Sequence, residues 1–342
     1  MTDPLIEQYF AQILPETLTP IQSASAYAPC NIALCKYWGK RQYSLNLPNN
    51  SSLSISLAHH GTHTQIQHSP DGQDHILLNQ QEQPLNTPFS QRLLTFCNHF
   101  RRNQPLPLLI HTTNNIPTAA GLASSASGFA ALTLALNHFF QLNLTTRTLS
   151  VVARIGSGSA SRSLWHGFVY WFKGSHPLGN DSYATPIEYS WPDLRIALLQ
   201  LDQRPKRISS RNGMNHTVDT SPYYSAWAEL AEKDISALYQ AINEQNFPRF
   251  GQIAEDNALA MHASMHAARP SLIYWQPQTL SQLHHIHHLR QQGLPVYATI
   301  DAGANVKILF LAQHQHAIET ELNPSAIINP FSPNNPKIPL SL

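Results

Sequence analysis

Residues 114–128 read NNIPTAAGLASSASG, and apart from two asparagines, one isoleucine and one leucine the stretch is built from glycine, proline, alanine, serine and threonine. It runs into FAALTLALNHFF at 129–140, where Phe129, Leu132, Leu136 and Phe139 or Phe140 share one helical face. The small residues are therefore the entrance to a helix. A helix start carries N–H groups without intrahelical partners and the positive end of the dipole, so a loop there without bulky side chains admits an anion to the backbone. Ser124, Ser125 and Ser127 add hydroxyls that can donate to phosphate oxygens, and Gly121 and Gly128 permit close approach. The same composition also suits a flexible loop ahead of an alanine-rich helix, and the P-loop spacing is absent, so specificity has to come from elsewhere in the chain.

At 342 residues the chain suits two domains. The first half reads as strands leading into that helix: SASAYAPCNIAL from Ser23, the alternating LSISL at 53–57, and THTQIQHS with HILLNQQ as a hairpin pair, in an antiparallel sheet. RQYSLNLPNNSS between them reads as loop, 90–103 as helix, PLPLLIHTT as strand, and TTRTLSVVARIG as a helix leading to the small-residue loop SGSASRSLWHG and the strand FVYWFKG. Proline, glycine and asparagine accumulate over 176–192, which places the domain boundary near residue 190 and divides the chain into 1–190 and 191–342. Beyond it come the strand LRIALLQLD, three helical stretches between 221 and 267, and a helix over QTLSQLHHIHHLRQQG. PVYATI and VKILFL then flank DAGAN as two strands, ahead of an irregular proline-rich tail.

Apolar residues make up 42% and charged residues 12%, enough for real cores and too little charge for a disordered chain. Net charge is +1, and lysine and arginine form no run longer than Lys40–Arg41 and Arg101–Arg102, which excludes a nucleic-acid footprint or a polybasic membrane anchor and favours a small-molecule partner. No segment approaches eighteen consecutive apolar residues, and the start lacks a signal-peptide pattern, so a soluble cytoplasmic protein is expected. Cys30, Cys35 and Cys97 match no zinc spacing and read as buried thiols. His284 and His288 stand at a metal-ligand spacing in a helix, but without a neighbouring cysteine or acid the histidine-rich segment reads as a polar helix face.

PTAAGLASSASG at 117–128 resembles the ATP-binding motif of the GHMP kinase superfamily. Within it, APCNIALCKYWGKR at 28–41, LNLPNNSSLS at 45–54, GSGSASRSLWHGFV at 156–169 and DAGANVKIL at 301–309 closely resemble the diphosphomevalonate decarboxylase family. The motifs stand in family order and span about residues 25 to 312. The resemblance implies a two-domain α+β fold, with a ribosomal protein S5 domain 2-like N-terminal half and a ferredoxin-like C-terminal half, and an active site in the cleft between them. It implies a homodimer, ATP and Mg²⁺, and a reaction in which mevalonate 5-diphosphate is phosphorylated on its 3-hydroxyl, then loses phosphate and CO₂ to give isopentenyl diphosphate.

Carried over residue by residue, the resemblance makes Asp301 the catalytic base and Arg162, supported by Asn31, the partner of the substrate carboxylate, for which a planar guanidinium fork is well suited. It places Lys36 near Asp301. Tyr37, Lys40, Ser157, Gly158, Ser159 and Ala160 match substrate-binding residues, and Ser209, Ser210 and Arg211 of ISSRNGM match the loop that closes on the diphosphate. Pro117, Ala120, Gly121, Leu122, Ala123, Ser124, Ser125 and Ser127 match the nucleotide cradle, with Ser124 or Ser125 available to Mg²⁺. Trp38 is read as structural.

The chain departs from the family pattern at Arg211, where threonine is familiar, and at Ala304 of DAGAN, where proline is commoner. It also departs where an arginine on the diphosphate is expected: Phe89 or a neighbour stands at the aligned distance, with Arg92 three residues on. The alternatives this leaves are a decarboxylase acting on mevalonate 5-phosphate, a kinase that stops at the 3-hydroxyl, and a non-catalytic binder.

Overall fold

A computed structural model describes residues 3–102, 104–115, 124–204 and 206–340. Helix α1 (Pro4–Ile13) opens the chain, its first turn capped by the Asp3 carboxylate accepting from Leu5 N–H at 2.8 Å. Strand β1 (Ser23–Cys35) follows. After it, β2 (Lys40–Gln42) and β3 (Leu47–Pro48) pair within the segment expected to be loop, and β4 (Ser52–His68) pairs antiparallel along β1. LSISL and THTQIQHS are thus one long strand. It bends at Ala58, whose φ is 55°, and at Gly61, where a Cβ would lie 2.3 Å from the Ala28 carbonyl oxygen.

The expected hairpin between THTQIQHS and HILLNQQ does not form. Strands β5 (His75–Leu78) and β6 (Gln81–Glu82) stand one strand further out, because β7 (Leu108–Asn114), arriving after helix α2 (Pro88–Arg101), pairs antiparallel with 62–68 and takes that edge of β4. Strand β5 then pairs with β7 in parallel. Helix α3 (Ser124–Phe139) and helix α4 (Thr146–Gly156) cover this sheet, and a 3₁₀ turn over Gly158–Arg162 replaces part of the loop expected there. Strands β8 (Phe168–Trp171) and β9 (Ala184–Pro186) extend the sheet beside the first half of β4.

The second half is an antiparallel sheet of β10 (Leu194–Leu199), β11 (Tyr297–Ile300), β12 (Val306–Leu311) and β13 (Ala326–Ile328), in the order β11-β12-β10-β13. The three helices between β10 and the histidine-rich helix begin earlier than expected: α5 (Ser210–Thr220), α6 (Tyr224–Asn243) and α7 (Phe247–His266). The ISSRNGM stretch is therefore a helix start, with the Ser209 hydroxyl accepting from Asn212 N–H at 3.2 Å. Helix α8 (Pro277–Gln291) buries Leu283, Ile286 and Leu289, leaves His284 and His288 exposed, and sets His287 against Glu255 at 3.1 Å. No group of His, Cys, Asp and Glu that could hold a metal occurs among the described residues. All three cysteines are buried thiols. Helix α9 (Gln315–Leu322) precedes β13.

One core lies between the first sheet and α1–α4. A second joins the halves, with Ile32, Leu34, Leu53 and Ile55 from β1 and β4 packed with Ile196 and Leu198 of β10 and Phe247 and Phe250 of α7. Each such side chain contributes about 1.5–3 kcal/mol on burial, so the halves meet over a continuous apolar seam. The tail expected to be irregular contains β13, which pairs with β10; beyond it the chain is irregular yet returns to the first half, with Phe331 5.2 Å from Phe168 and Ile338 and Leu340 packed on the first core. No helix among the described residues is long and apolar enough to cross a membrane.

Candidate active site

A cleft of about 750 Å³ opens between the halves. The end of β1 and the turn after it supply Asn31, Lys36 and Tyr37, β2 supplies Lys40, α2 supplies Arg92, and the first turn of α3 supplies Ser124 and Ser125. The 3₁₀ turn brings Ser157, Gly158, Ser159 and Arg162, the start of α5 brings Ser209, Ser210 and Arg211, and the β11–β12 hairpin brings Asp301. Asp301 is the one carboxylate among the described residues lining it.

Asp301 stands on the hairpin loop, a position a rigid two-strand support can aim. Its Oδ1 accepts from Lys36 Nζ at 2.7 Å, and its Oδ2 lies 3.2 Å from Lys307 Nζ. Burial alone would raise the carboxyl, but the two ammonium groups override it and hold Asp301 well below the usual carboxylate range. Lys36 is itself buried, which lowers its pKa against the pull of Asp301. Its Nζ also donates to the Ala33 carbonyl at 2.8 Å, and its own N–H donates to Asn257 Oδ1 at 2.7 Å, so an α7 side chain fixes the turn that carries it. His262 of α7 meets the Asp301 carbonyl through Nε2 at 3.2 Å, and burial pushes that imidazole down to about 3.

Arg162 is 2% exposed and makes no direct ion pair among the described residues, although the Asp301 carboxylate acts on it across the cleft. Its Nε and Nη2 donate to Asn31 Oδ1 at 3.3 Å, its Nη1 donates to the Ser52 hydroxyl, and the guanidinium lies 5.5 Å from the Trp171 ring centre. Asn31 is held in turn by donating to the Ser159 carbonyl at 3.1 Å and to Ser163 Oγ at 2.7 Å. Burial lowers Arg162 to about 10. A buried cation bonded only to neutral groups is costly unless a ligand supplies the anion.

The other end of the cleft gathers Lys40, Arg92 and Arg211. Burial first, and then Arg211 and Arg92, lower Lys40 to about 7; burial and Arg211 lower Arg92 to about 10. Arg92 donates from Nη2 to the Gly156 carbonyl at 2.7 Å and stacks 4.5 Å from the Phe129 ring centre. Tyr37 packs edge-on against Trp171 at 4.8 Å, and its buried hydroxyl has no partner among the described residues. A Cβ on Gly158 would fall 2.6 Å from that hydroxyl, which explains glycine there. Ser125 and Ser157 hydroxyls lie 3.4 Å apart, joining the α3 start to the 3₁₀ turn.

Two expected residues are not brought to the cleft. Ser127 turns its hydroxyl under α3, 2.8 Å from the Thr62 hydroxyl and 3.1 Å from Cys30 Sγ, and Ala160 is fully buried beneath the 3₁₀ turn. Ser127 lies two residues past Ser125 on the helix, about 200° further round, which turns it onto the sheet. Pro117, Ala120, Gly121, Leu122 and Ala123 lie outside the described residues. Trp38 is buried against Tyr274, as a structural residue would be, while also lining the cleft.

Sequence reasoning missed Lys307, His262 and Asn257. Lys307 carried a signal, since a lysine inside VKILFL interrupts an otherwise apolar strand that the fold buries on both sides. The other two sit on α7 with nothing local to mark them.

Two family profiles match the chain: "Diphosphomevalonate decarboxylase-like N-terminal domain" over residues 28–184 and "Mevalonate 5-diphosphate decarboxylase C-terminal domain" over 196–330. The diphosphomevalonate decarboxylase of Candida albicans is 36% identical over 313 residues, covering 86% of each chain. Among solved structures, the mevalonate diphosphate decarboxylase of Staphylococcus aureus is 35% identical with a TM-score of 0.83, covering 90% of this chain and 94% of the other. A structure described as MDDEF in complex with MVAPP, AMPPCP and magnesium is 39% identical with a TM-score of 0.83, over 88% of this chain and 93% of that one.

Proposed function

From the premise that the chain belongs to the diphosphomevalonate decarboxylase family, we infer that it catalyses the ATP-dependent decarboxylation of mevalonate 5-diphosphate to isopentenyl diphosphate, with release of ADP, phosphate and CO₂. The observation that carries this reading is the charge layout of the cleft: Asp301 as the single carboxylate among the described residues that line it, a buried arginine with no direct ion pair, and a corner of three cations. A substrate with a carboxylate at one end, a hydroxyl in the middle and a diphosphate at the other complements each part.

In this reading Asp301 faces the substrate 3-hydroxyl, orients it and accepts its proton as the γ-phosphoryl group arrives. A carboxylate held this acidic is a weak base, which suits a loose transfer in which positioning matters more than proton abstraction. Arg162, steadied by Asn31, orients the C1 carboxylate. When the new 3-phosphate leaves with its bonding electrons, the C1–C2 pair becomes the alkene and CO₂ departs without charge. Lys40, Arg92, Arg211, Ser157, Ser159, Ser209 and Ser210 hold the 5-diphosphate, with Tyr37 and Gly158 shaping the floor. Ser124 and Ser125 begin the helix against which ATP lies, together with the 117–123 segment.

Among the described residues no cluster of His, Cys, Asp and Glu gathers at Ser124 and Ser125, which fits an Mg²⁺ ion that would arrive on the triphosphate and take at most a hydroxyl from the protein. When bound, that ion neutralises charge developing on the phosphate oxygens. The division at residue 190, a homodimer and a cytoplasmic location complete the proposal. The approach of Arg92 to the cation corner favours a diphosphate over a monophosphate substrate, since one more charge is met there. Asp301→Asn tests the reading: kcat should fall by at least ~100-fold with substrate binding largely intact. ADP and CO₂ released together by the parent enzyme, and neither by the variant, is the expected result; ADP without CO₂ from the parent would overturn it.

A further inference from the structure

Lys307 is an expensive residue where it stands. It is 2% exposed in β12, an inner strand of the second sheet, opposite Leu198 of β10 and Thr299 of β11. An ammonium there loses its hydration, and the only carboxylate it meets among the described residues is Asp301, at 3.2 Å. The hairpin does not need this pair to close. Its strands are in register from Tyr297↔Leu309 to Ile300↔Val306, and Asn305 ties the loop to the chain leaving β10, accepting from the N–H groups of Leu201 at 2.7 Å and Asp202 at 2.9 Å.

We propose that Lys307 is a positioning residue for the phosphoryl-transfer step: it holds Oδ2 of Asp301 while Lys36 holds Oδ1, so that the carboxylate meets the substrate hydroxyl in one orientation. The two ammonium groups come from different halves of the molecule, Lys36 from the turn after β1 and Lys307 from β12. A carboxylate pinned at one oxygen can swing about that contact; one pinned at both cannot. The same pair sets when Asp301 ionises. The groups facing it are Lys36 from the turn after β1, Lys307 from β12, His262 from α7, Arg162 from the 3₁₀ turn, and Lys206 from the segment after β10. His262 stays neutral through the working range, so the lysines and Arg162 supply the charge.

This inference rests on Asp301 being the residue that faces the 3-hydroxyl, and the experiment separates the two. In substrate-free protein labelled with ¹³C at aspartate carboxyl carbons, and with the Asp301 signal assigned from Asp301→Asn, Lys307→Met should raise the Asp301 titration midpoint by about 1–3 units. In turnover, Lys307→Met should lower kcat by about 10–100-fold near neutral pH while KM for both substrates moves less than about threefold. Its acid limb should appear at least one unit higher, and Lys307→Arg should restore part of the rate. Added to Asp301→Asn, Lys307→Met should cost less than about threefold more, as expected of a group acting through the aspartate.

An Asp301 midpoint that does not move, a Lys307→Met rate equal to the parent's, or a full further loss on the Asp301→Asn background would each overturn the role of Lys307. Full activity in Asp301→Asn would overturn the reading of Asp301 instead and leave the titration to decide the pairing. If methionine unfolds the sheet, Lys307→Gln, which keeps a donor without the charge, carries the same measurements.

Discussion

Replacing Lys40 by methionine should make the free protein more stable and a poorer enzyme. Lys40 is 6% exposed, and its neighbours in the cleft corner are Arg92 and Arg211 rather than acids. Its pKa drops from 10.5 to about 7, so the unfolded chain keeps the proton through a range in which the folded chain gives it up. Where the unfolded state binds the extra proton, native stability rises with pH. The penalty on the parent is therefore complete below pH 7, fades between 7 and 10.5, and is gone above that. At 1.36 kcal/mol per unit it amounts to about 5 kcal/mol at pH 6, about 3 at pH 8 and about 1 at pH 9.5. Lys40→Met removes it, and urea unfolding at these three pH values should show a gain that shrinks in that order. Inorganic pyrophosphate should stabilise the parent and much less the variant, and KM for mevalonate 5-diphosphate should rise by about 30–1,000-fold, the cost of removing a desolvated charge partner. A gain independent of pH, or a variant that binds pyrophosphate as tightly as the parent, would refute the argument that this corner stores an uncompensated cation for a ligand anion.

Arg92→Gln should raise KM for mevalonate 5-diphosphate by about 10–100-fold with kcat within about threefold, and should affect the 5-phosphate less; equal effects on both, read in parallel ADP-release assays, would remove Arg92 from diphosphate recognition. Gly158→Ala places a methyl 2.6 Å from the Tyr37 hydroxyl and 2.8 Å from two of its ring carbons and should cost about 1–3 kcal/mol of fit, read in urea unfolding; Tyr37→Leu in the same chain, which removes the ring, should recover part of that loss, and no recovery would mean the alanine acts elsewhere.

The stretch at 114–128 was legible as a helix entrance because the change from small residues to a spaced apolar face is a local signal, and the described residues from Ser124 onward are helical. What failed was non-local. THTQIQHS and HILLNQQ look like a hairpin in sequence, but pairing is decided by which strand reaches the edge of β4, and β7 does so from forty residues away. Helix α5 was invisible for a different reason. SRNGMNHT is poor in helix formers, and the helix is held by its surroundings, with Gly213 tucked so closely under Tyr274 that a Cβ would lie 2.4 Å from its hydroxyl. Within the candidate site, motifs pointed to Asp301, Lys36, Arg162 and Asn31, which the fold brings to one cleft. They left Arg92 open and passed over Lys307, whose signal, a lysine in an apolar strand, gains a partner only when the fold sets β12 beside Asp301.

The cleft gives that closing a physical direction. Net charge over the chain is +1, yet the described residues of the cleft set Lys36, Lys40, Arg92, Arg162 and Arg211 against Asp301 alone. Water would neutralise such an excess at little cost on an open surface; here burial withholds it, which is why Lys40, the buried Arg162 and the half-buried Arg92 give up protons more easily than usual. Each anionic group of the ligand then replaces missing solvent with a partner already in position, and no side chain has to be recruited as charge moves during the reaction. In the proposed reading, stability is surrendered in the free protein at the places that would later support the transition state. The apolar seam between the halves, built from β1, β4, β10 and α7, keeps those cations from relaxing apart before the ligand arrives.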